Sequence, residues 1–201
     1  MRGFGYGGVV RPEDDNPFVS RGGLKLAHAL REFALDVRGL VCADLGASTG
    51  GFTDCLLRHG AAKVFAVDTA YGELAWKLRK DPRVVVVERS NALHLEPREL
   101  VDLVVADLGW TKQGLLIPTA LRWLKPGGRI VSLIKPHYEA GDRGGRGGVL
   151  AEADAAAVLK RVIDEMPRLG VEVLGVTRSP VLGGSKGKGN VEWLALLRPG
   201  G

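Results

Sequence analysis

The chain has 201 residues, 45% of them hydrophobic and 25% charged, with a net charge of +5 at pH 7. That is the length of one domain, or one domain with a short appendage, and a globular composition, so general disorder and low-complexity repeats are excluded while the mild basicity suits a polyanionic partner. Two cysteines (Cys42, Cys55) and four scattered histidines (His28, His59, His94, His137) cannot make a disulfide scaffold or a structural metal site.

Residues 1–17 are glycine-rich, then acidic, and end at Pro17; they read as a flexible lead-in to a single domain over 18–201. Ser20 is placed to cap a helix from Gly22 to Val37, with Leu26, Leu30, Phe33 and Val37 as its apolar stripe. The pattern then alternates. Strands are expected at 41–47, 63–69, 84–88, 100–108 and 129–135, with helices at 49–58, 72–80 and 112–124 between them. A long helix follows at 151–169, then strands at 171–178 and 191–197 with no helix separating them. Short β-branched runs divided by helices predict an α/β fold: a mostly parallel seven-stranded sheet covered on both faces, closing in an antiparallel C-terminal hairpin. No apolar run approaches the ~18 residues of a membrane span, and the first residues lack a signal peptide's apolar segment, so the expected location is cytoplasmic.

Two glycine-rich stretches interrupt this pattern, 141–148 and 183–189. They carry Arg143, Arg146, Lys186 and Lys188, expected to reach the phosphates of a polyanionic partner; the fallback surface is Arg11, Arg21 and Arg31.

The first strand runs into Asp44-Leu-Gly46-Ala-Ser48-Thr-Gly50-Gly51, and the second ends near Asp68, about 20 residues on. Glycines at a strand-to-helix turn admit a ligand against the backbone, and an acidic residue at that distance can accept ribose hydroxyls. A dinucleotide fingerprint wants glycine where Ser48 stands, which argues against a nicotinamide oxidoreductase. The D-x-G-x-x-x-G-G form looks like the first motif of S-adenosylmethionine-dependent methyltransferases, whose cofactor has no phosphate to cradle.

In an open α/β sheet, ligands sit at the carboxyl ends of strands where strand order reverses. That rule brings Asp107 and Lys135, at the ends of the fourth and fifth strands, to one crevice. The start of an antiparallel last strand, at Glu192, reaches the same edge. Lys25, a cation opposing the dipole in the first turn of the leading helix, is oddly placed for a structural lysine.

Four strings, Ser20-Arg-Gly-Gly-Leu-Lys25-Leu, Asp44 to Thr53, Ile134-Lys-Pro136 and Gly189-Asn-Val-Glu192, resemble the FtsJ-like RNA 2′-O-methyltransferases, most closely the TlyA (haemolysin A) branch. The resemblance runs from about Pro17 to the C-terminus and implies a Rossmann-like methyltransferase fold with S-adenosylmethionine as cofactor. It implies a catalytic Lys-Asp-Lys-Glu tetrad at Lys25, Asp107, Lys135 and Glu192, with no metal. The cofactor would be held at Asp44, Gly46, Ala47, Ser48, Gly50, Gly51 and Phe52 in the first loop. Asp68, Asn91, Ala92 and Asp107 would line its nucleoside end. The acceptor implied is RNA, ribosomal RNA or a ribosomal subunit; the alternative is methyl transfer to a protein or small molecule. The chain departs from the pattern in three ways. Residues 1–17 are too few for the S4 RNA-binding domain usual in that branch, so none is expected in them, Asp107-Leu-Gly109-Trp110 stands for D-x-S-F, and Lys135-Pro-His137-Tyr138-Glu139 stands for Lys-Pro-Gln-Phe-Glu. Membrane lysis, which the haemolysin label suggests, has no apolar span or basic amphipathic helix to support it.

Overall fold

A computed structural model describes residues 16–141, 149–184 and 189–201. The elements in chain order are α1 (Gly22–Glu32), β1 (Val41–Leu45), α2 (Gly51–Arg58), β2 (Lys63–Val67), α3 (Trp76–Arg79) and β3 (Val84–Val87). They continue with β4 (Val101–Ala106), α4 (Gln113–Trp123), β5 (Leu124–Ile134), α5 (Pro136–Glu139), α6 (Glu152–Glu165), β6 (Val171–Arg178) and β7 (Trp193–Pro199). One seven-stranded sheet runs in the order β3-β2-β1-β4-β5-β7-β6. The first five strands pair in parallel, and β7 is antiparallel to both β5 and β6. The chain works outward from β1 to β3 and returns to β4 on the other side of β1, so strand order reverses between β1 and β4.

Both faces of the sheet are covered, which is why its central strands are apolar at successive positions rather than alternate ones. Leu26, Phe52, Leu56 and Leu78 from α1–α3 pack with Cys42, Leu103 and Val105 on one face. Leu116, Ile117 and Trp123 of α4 and Val162 of α6 pack with Leu45, Phe65 and Ile130 on the other.

The elements appear near where the pattern predicts, but β5 begins at Leu124, not 129, the one-turn helix α5 is not among the expected elements, and four further differences have local causes. Helix α1 stops at Glu32, not Val37: Ala34 takes a left-handed φ of 49° and the Leu35 amide bonds back to Leu30 O, a Schellman ending built without glycine. Ser20 does not cap α1; Arg21 holds that position, and the Ser20 hydroxyl packs against Gly51, where a Cβ would come within 2.2 Å. The expected 72–80 helix is a single turn, because the Ala75 amide is taken by Thr49 O and Gly72 turns left-handed. The 151–169 helix tightens to a 3-10 turn at Met166–Leu169, where Pro167 cannot donate. No helix among the described residues is long and apolar enough to cross a membrane.

Candidate active site

The loop after β1 is folded by backbone constraint. Gly46 and Gly50 have φ of 89° and 98°, and Ser48 has 47°. A Cβ on Gly46 would lie 2.7 Å from Asp107 O, so the ends of β1 and β4 touch at a point only glycine permits. A Cβ on Gly50 would strike Leu74 and Leu78, so this glycine serves the turn and its packing and lines neither cavity of the site. The Ser48 amide donates to Asp68 Oδ2 at 2.7 Å and the Ala70 amide to Asp68 Oδ1 at 2.8 Å, fixing that carboxylate at the rim with lone pairs to spare.

Asp44 is fully buried beneath the loop and also lines neither cavity. Its Oδ2 accepts the Thr53 hydroxyl at 2.7 Å, and its Oδ1 is buried without a partner. Burial pushes its carboxyl from 3.8 up to about 7, helped by the charges of Asp107 and Asp68 and opposed by Thr53. The folded state therefore holds a proton that an unfolded aspartate has released. Stability contributed by this group is present below pH 3.8 and is lost as pH rises toward 7, by up to about 1.4 kcal/mol per pH unit. Asp44→Asn should remove that slope. Denaturant unfolding of both proteins at pH 5 and pH 8 checks it: wild type should lose stability relative to the variant at pH 8, and parallel behaviour would mean Asp44 ionises like an exposed aspartate.

The four tetrad candidates form one connected chain of charges. Lys25 Nζ lies 2.5 Å from Glu192 Oε2 and 3.9 Å from Asp107 Oδ2. Lys135 Nζ pairs with Asp107 Oδ1 and donates to Leu108 O at 3.3 Å. Lys25 and Glu192 are buried, Lys135 and Asp107 partly so. Asp107 is the link between the two lysines; it follows β4, Lys135 follows β5, Glu192 precedes β7, and Lys25 reaches in from α1.

Two cavities meet at Asp107. One, of about 360 Å³, is lined by Arg21, Lys25, Ala47, Gly51 and Phe52, among others. The second, of about 660 Å³, runs past Asp68, Asn91, Ala92 and Leu93 to Trp110. Gly46, Ser48 and Asp107 border both. Asn91 is half committed already, its Oδ1 accepting the Leu93 amide at 3.0 Å. The larger cavity carries Asp68, Glu73 and Asp107 and no lysine, arginine or histidine.

Three residues around this site escape sequence patterning. Trp110 is 82% exposed, takes φ 56°, and stacks on Tyr138 with ring centroids 4.7 Å apart. A bulky side chain in the left-handed region costs roughly 1–2 kcal/mol, so the surrounding loop enforces the conformation. Lys135 Nζ sits over the Tyr138 ring at 5.5 Å, and His137 lies 4.1 Å from that ring. Burial, then the charges of Lys135 and Lys25, hold the His137 imidazole below its ordinary range, which favours its neutral form. The only sequence signal was the pair of departures from the family motifs.

Arg143, Arg146, Lys186, Lys188 and Arg11 lie outside the described residues. Arg21 donates to Gly184 O across the smaller cavity, and Arg31 is exposed beside Glu32. Among the described residues, no group of three or more His, Cys, Asp or Glu gathers as a metal site.

The family pattern of FtsJ-like methyltransferases matches residues 18–198. The 16S/23S rRNA (cytidine-2′-O)-methyltransferase TlyA of Mycobacterium tuberculosis (strain H37Rv) is 45% identical over 196 residues, 94% of this chain and 72% of that protein. A Bacillus subtilis protein provisionally named rRNA methyltransferase YqxC is 41% identical over 90% of this chain and 65% of its own length. A solved structure from Streptococcus thermophilus, provisionally named a hemolysin, superposes with a TM-score of 0.86 at 39% identity, covering 92% of this chain and 68% of that one. The chain thus spans 65–75% of the length of the curated relatives it matches.

Proposed function

Because the chain belongs to the FtsJ-like methyltransferase family, we propose that it transfers the methyl group of S-adenosylmethionine to a ribose 2′-hydroxyl in RNA, with ribosomal RNA as the acceptor. The observation that carries this reading is the juxtaposition at Asp107: a linked Lys-Asp-Lys-Glu chain on one side and the acidic cavity on the other.

The cavity fits the cofactor. Asp68 is pre-fixed to receive ribose hydroxyls, Ala92 and Leu93 offer apolar wall to a purine, and three carboxylates favour a sulfonium cation. A dinucleotide would bring two phosphates to a wall with no cation to meet them. Asp68→Ala should weaken S-adenosylmethionine binding by about 1–3 kcal/mol, roughly five- to 150-fold, by leaving ribose hydroxyls unpaired. Calorimetric titration checks it. Tight NAD binding with no S-adenosylmethionine binding would sink the methyltransferase reading.

Bound S-adenosylmethionine supplies a methyl group already activated by its sulfonium sulfur. The chain must align the hydroxyl and take its proton. We assign Lys135 Nζ, held by Asp107 and the Leu108 carbonyl, as the group that takes or orients the hydroxyl proton. Asp107 positions Lys135 and, bordering both cavities, fixes it relative to the methyl donor. Lys25, anchored by Glu192, holds the hydroxyl from the other side. The Trp110–Tyr138 stack at the cavity rim offers a wall for the nucleoside entering the site.

The test is transfer of labelled methyl groups to bacterial ribosomal subunits, with RNA and protein separated afterwards. Label is expected in the RNA; label confined to ribosomal protein would overturn the acceptor assignment.

A further inference from the structure

The wall of the larger cavity has an outer face that plays no part in the chemistry above. Tyr71, next to the cavity-lining Ala70, and Trp76, which opens α3 three residues beyond the cavity-lining Glu73, are each 68% exposed. Arg89 lies over the Tyr71 ring at 4.2 Å and Lys80 over the Trp76 ring at 4.8 Å. We infer that Tyr71, Trp76, Lys80 and Arg89 form a docking surface for unpaired nucleotides of the substrate RNA, flanking the methylated one. This rests on the RNA reading of the active site.

Charge carries the argument. The neighbouring cations have carboxylate partners: Lys77 at Asp54, which Arg58 shares, Arg79 at Glu88 and Arg83 at Asp81. Lys80 and Arg89, the two beside the exposed rings, have no ion-pair partner among the described residues. Two aromatic faces, each coupled to an unneutralised cation, match what a single-stranded nucleic acid presents: a base to stack and a phosphate to pair. A purely apolar protein partner would leave both charges unmet.

Position supports the same occupant. The Gly72 amide donates to Glu88 Oε1 at 3.0 Å and the Arg89 amide to Ala70 O at 3.3 Å, tying the two loops together. Ala70, Glu73 and Ser90 of those loops line the larger cavity; Tyr71 and Arg89, their chain neighbours, do not, and Glu88 also pairs with Arg79, three residues beyond Trp76 on α3. Arg89 takes a left-handed φ of 52°, unusual for a long side chain. An RNA strand delivering one nucleotide to Asp107 would cross the rim of the cavity that these two loops help to line.

The experiment uses the full chain, deproteinised bacterial ribosomal RNA and intact ribosomal subunits, with affinity measured across a salt series. Tyr71→Ala and Trp76→Ala should each weaken RNA binding about fivefold or more, and Tyr71→Phe with Trp76→Phe should restore it. Lys80→Ser with Arg89→Ser should lower the salt slope by roughly 0.7 per residue. S-adenosylmethionine affinity, read by calorimetry as a control for folding, should stay at the wild-type value. Unchanged RNA affinity and slope in all four variants would overturn the inference. So would a loss seen with subunits but not with naked RNA, which would assign the patch to a ribosomal protein. Failure of the wild-type chain to bind either RNA would instead overturn the functional reading on which the inference stands.

Discussion

Lys135→Ala should lower methyl transfer by about 10²–10⁴-fold, the usual contribution of a positioned proton acceptor, with the unfolding midpoint and cofactor affinity near wild type. The fold should tolerate the change because Asp107 keeps Lys25 at 3.9 Å, so no carboxylate is left alone. Lys135→Arg separates two roles. Arginine preserves the charge beside Asp107 but does not deprotonate in proteins. If Lys135 takes the hydroxyl proton, the arginine variant is as inactive as the alanine one. If it recovers activity, Lys135 acts as a fixed charge. Near-normal turnover by Lys135→Ala at neutral pH would pass the proton to Lys25.

The largest effect on stability should come from Glu192→Ala. Glu192 is 3% exposed, and its removal leaves the buried Lys25 ammonium with only a distant share of Asp107. Breaking one partner of a buried pair costs about 3–5 kcal/mol, roughly a 10 °C fall in Tm for a chain of this size. Replacing both partners, Lys25→Met with Glu192→Leu, should recover most of that loss, because the desolvation of two charges is relieved together. Thermal unfolding and a methyl-transfer assay on the same samples separate structure from chemistry. The double variant should fold and remain inactive. A double variant with wild-type turnover would make the Lys25–Glu192 pair purely structural.

Much of this geometry follows from local pattern. The valine run at 84–87 is a strand because β-branched residues fit a pleated, half-buried surface, here the sheet edge beside β2. Asp107 and Lys135 share a crevice because strand order reverses between β1 and β4. What pattern missed depends on contacts between distant segments. Thr49 O captures the Ala75 amide and shortens α3, and no window around 72–80 contains that information. Ala34 ends α1 in a conformation that sequence reasoning reserves for glycine or asparagine. Asp44 and Gly50 carry the loop motif yet line neither cavity, since one props the loop from beneath and the other packs on Leu74 and Leu78. The stacking of Trp110 on Tyr138 joins the loop after β4 to α5, 28 residues on, and has no periodic signature.

The chemical position of the methyl group tests the central claim most directly. Ribosomal RNA methylated by the wild-type chain with isotopically labelled S-adenosylmethionine should be digested to nucleosides and analysed by mass spectrometry. The account predicts the label on the ribose 2′-oxygen, absent when Lys135→Ala is used. Label on a base, with the ribose unmodified, would contradict it.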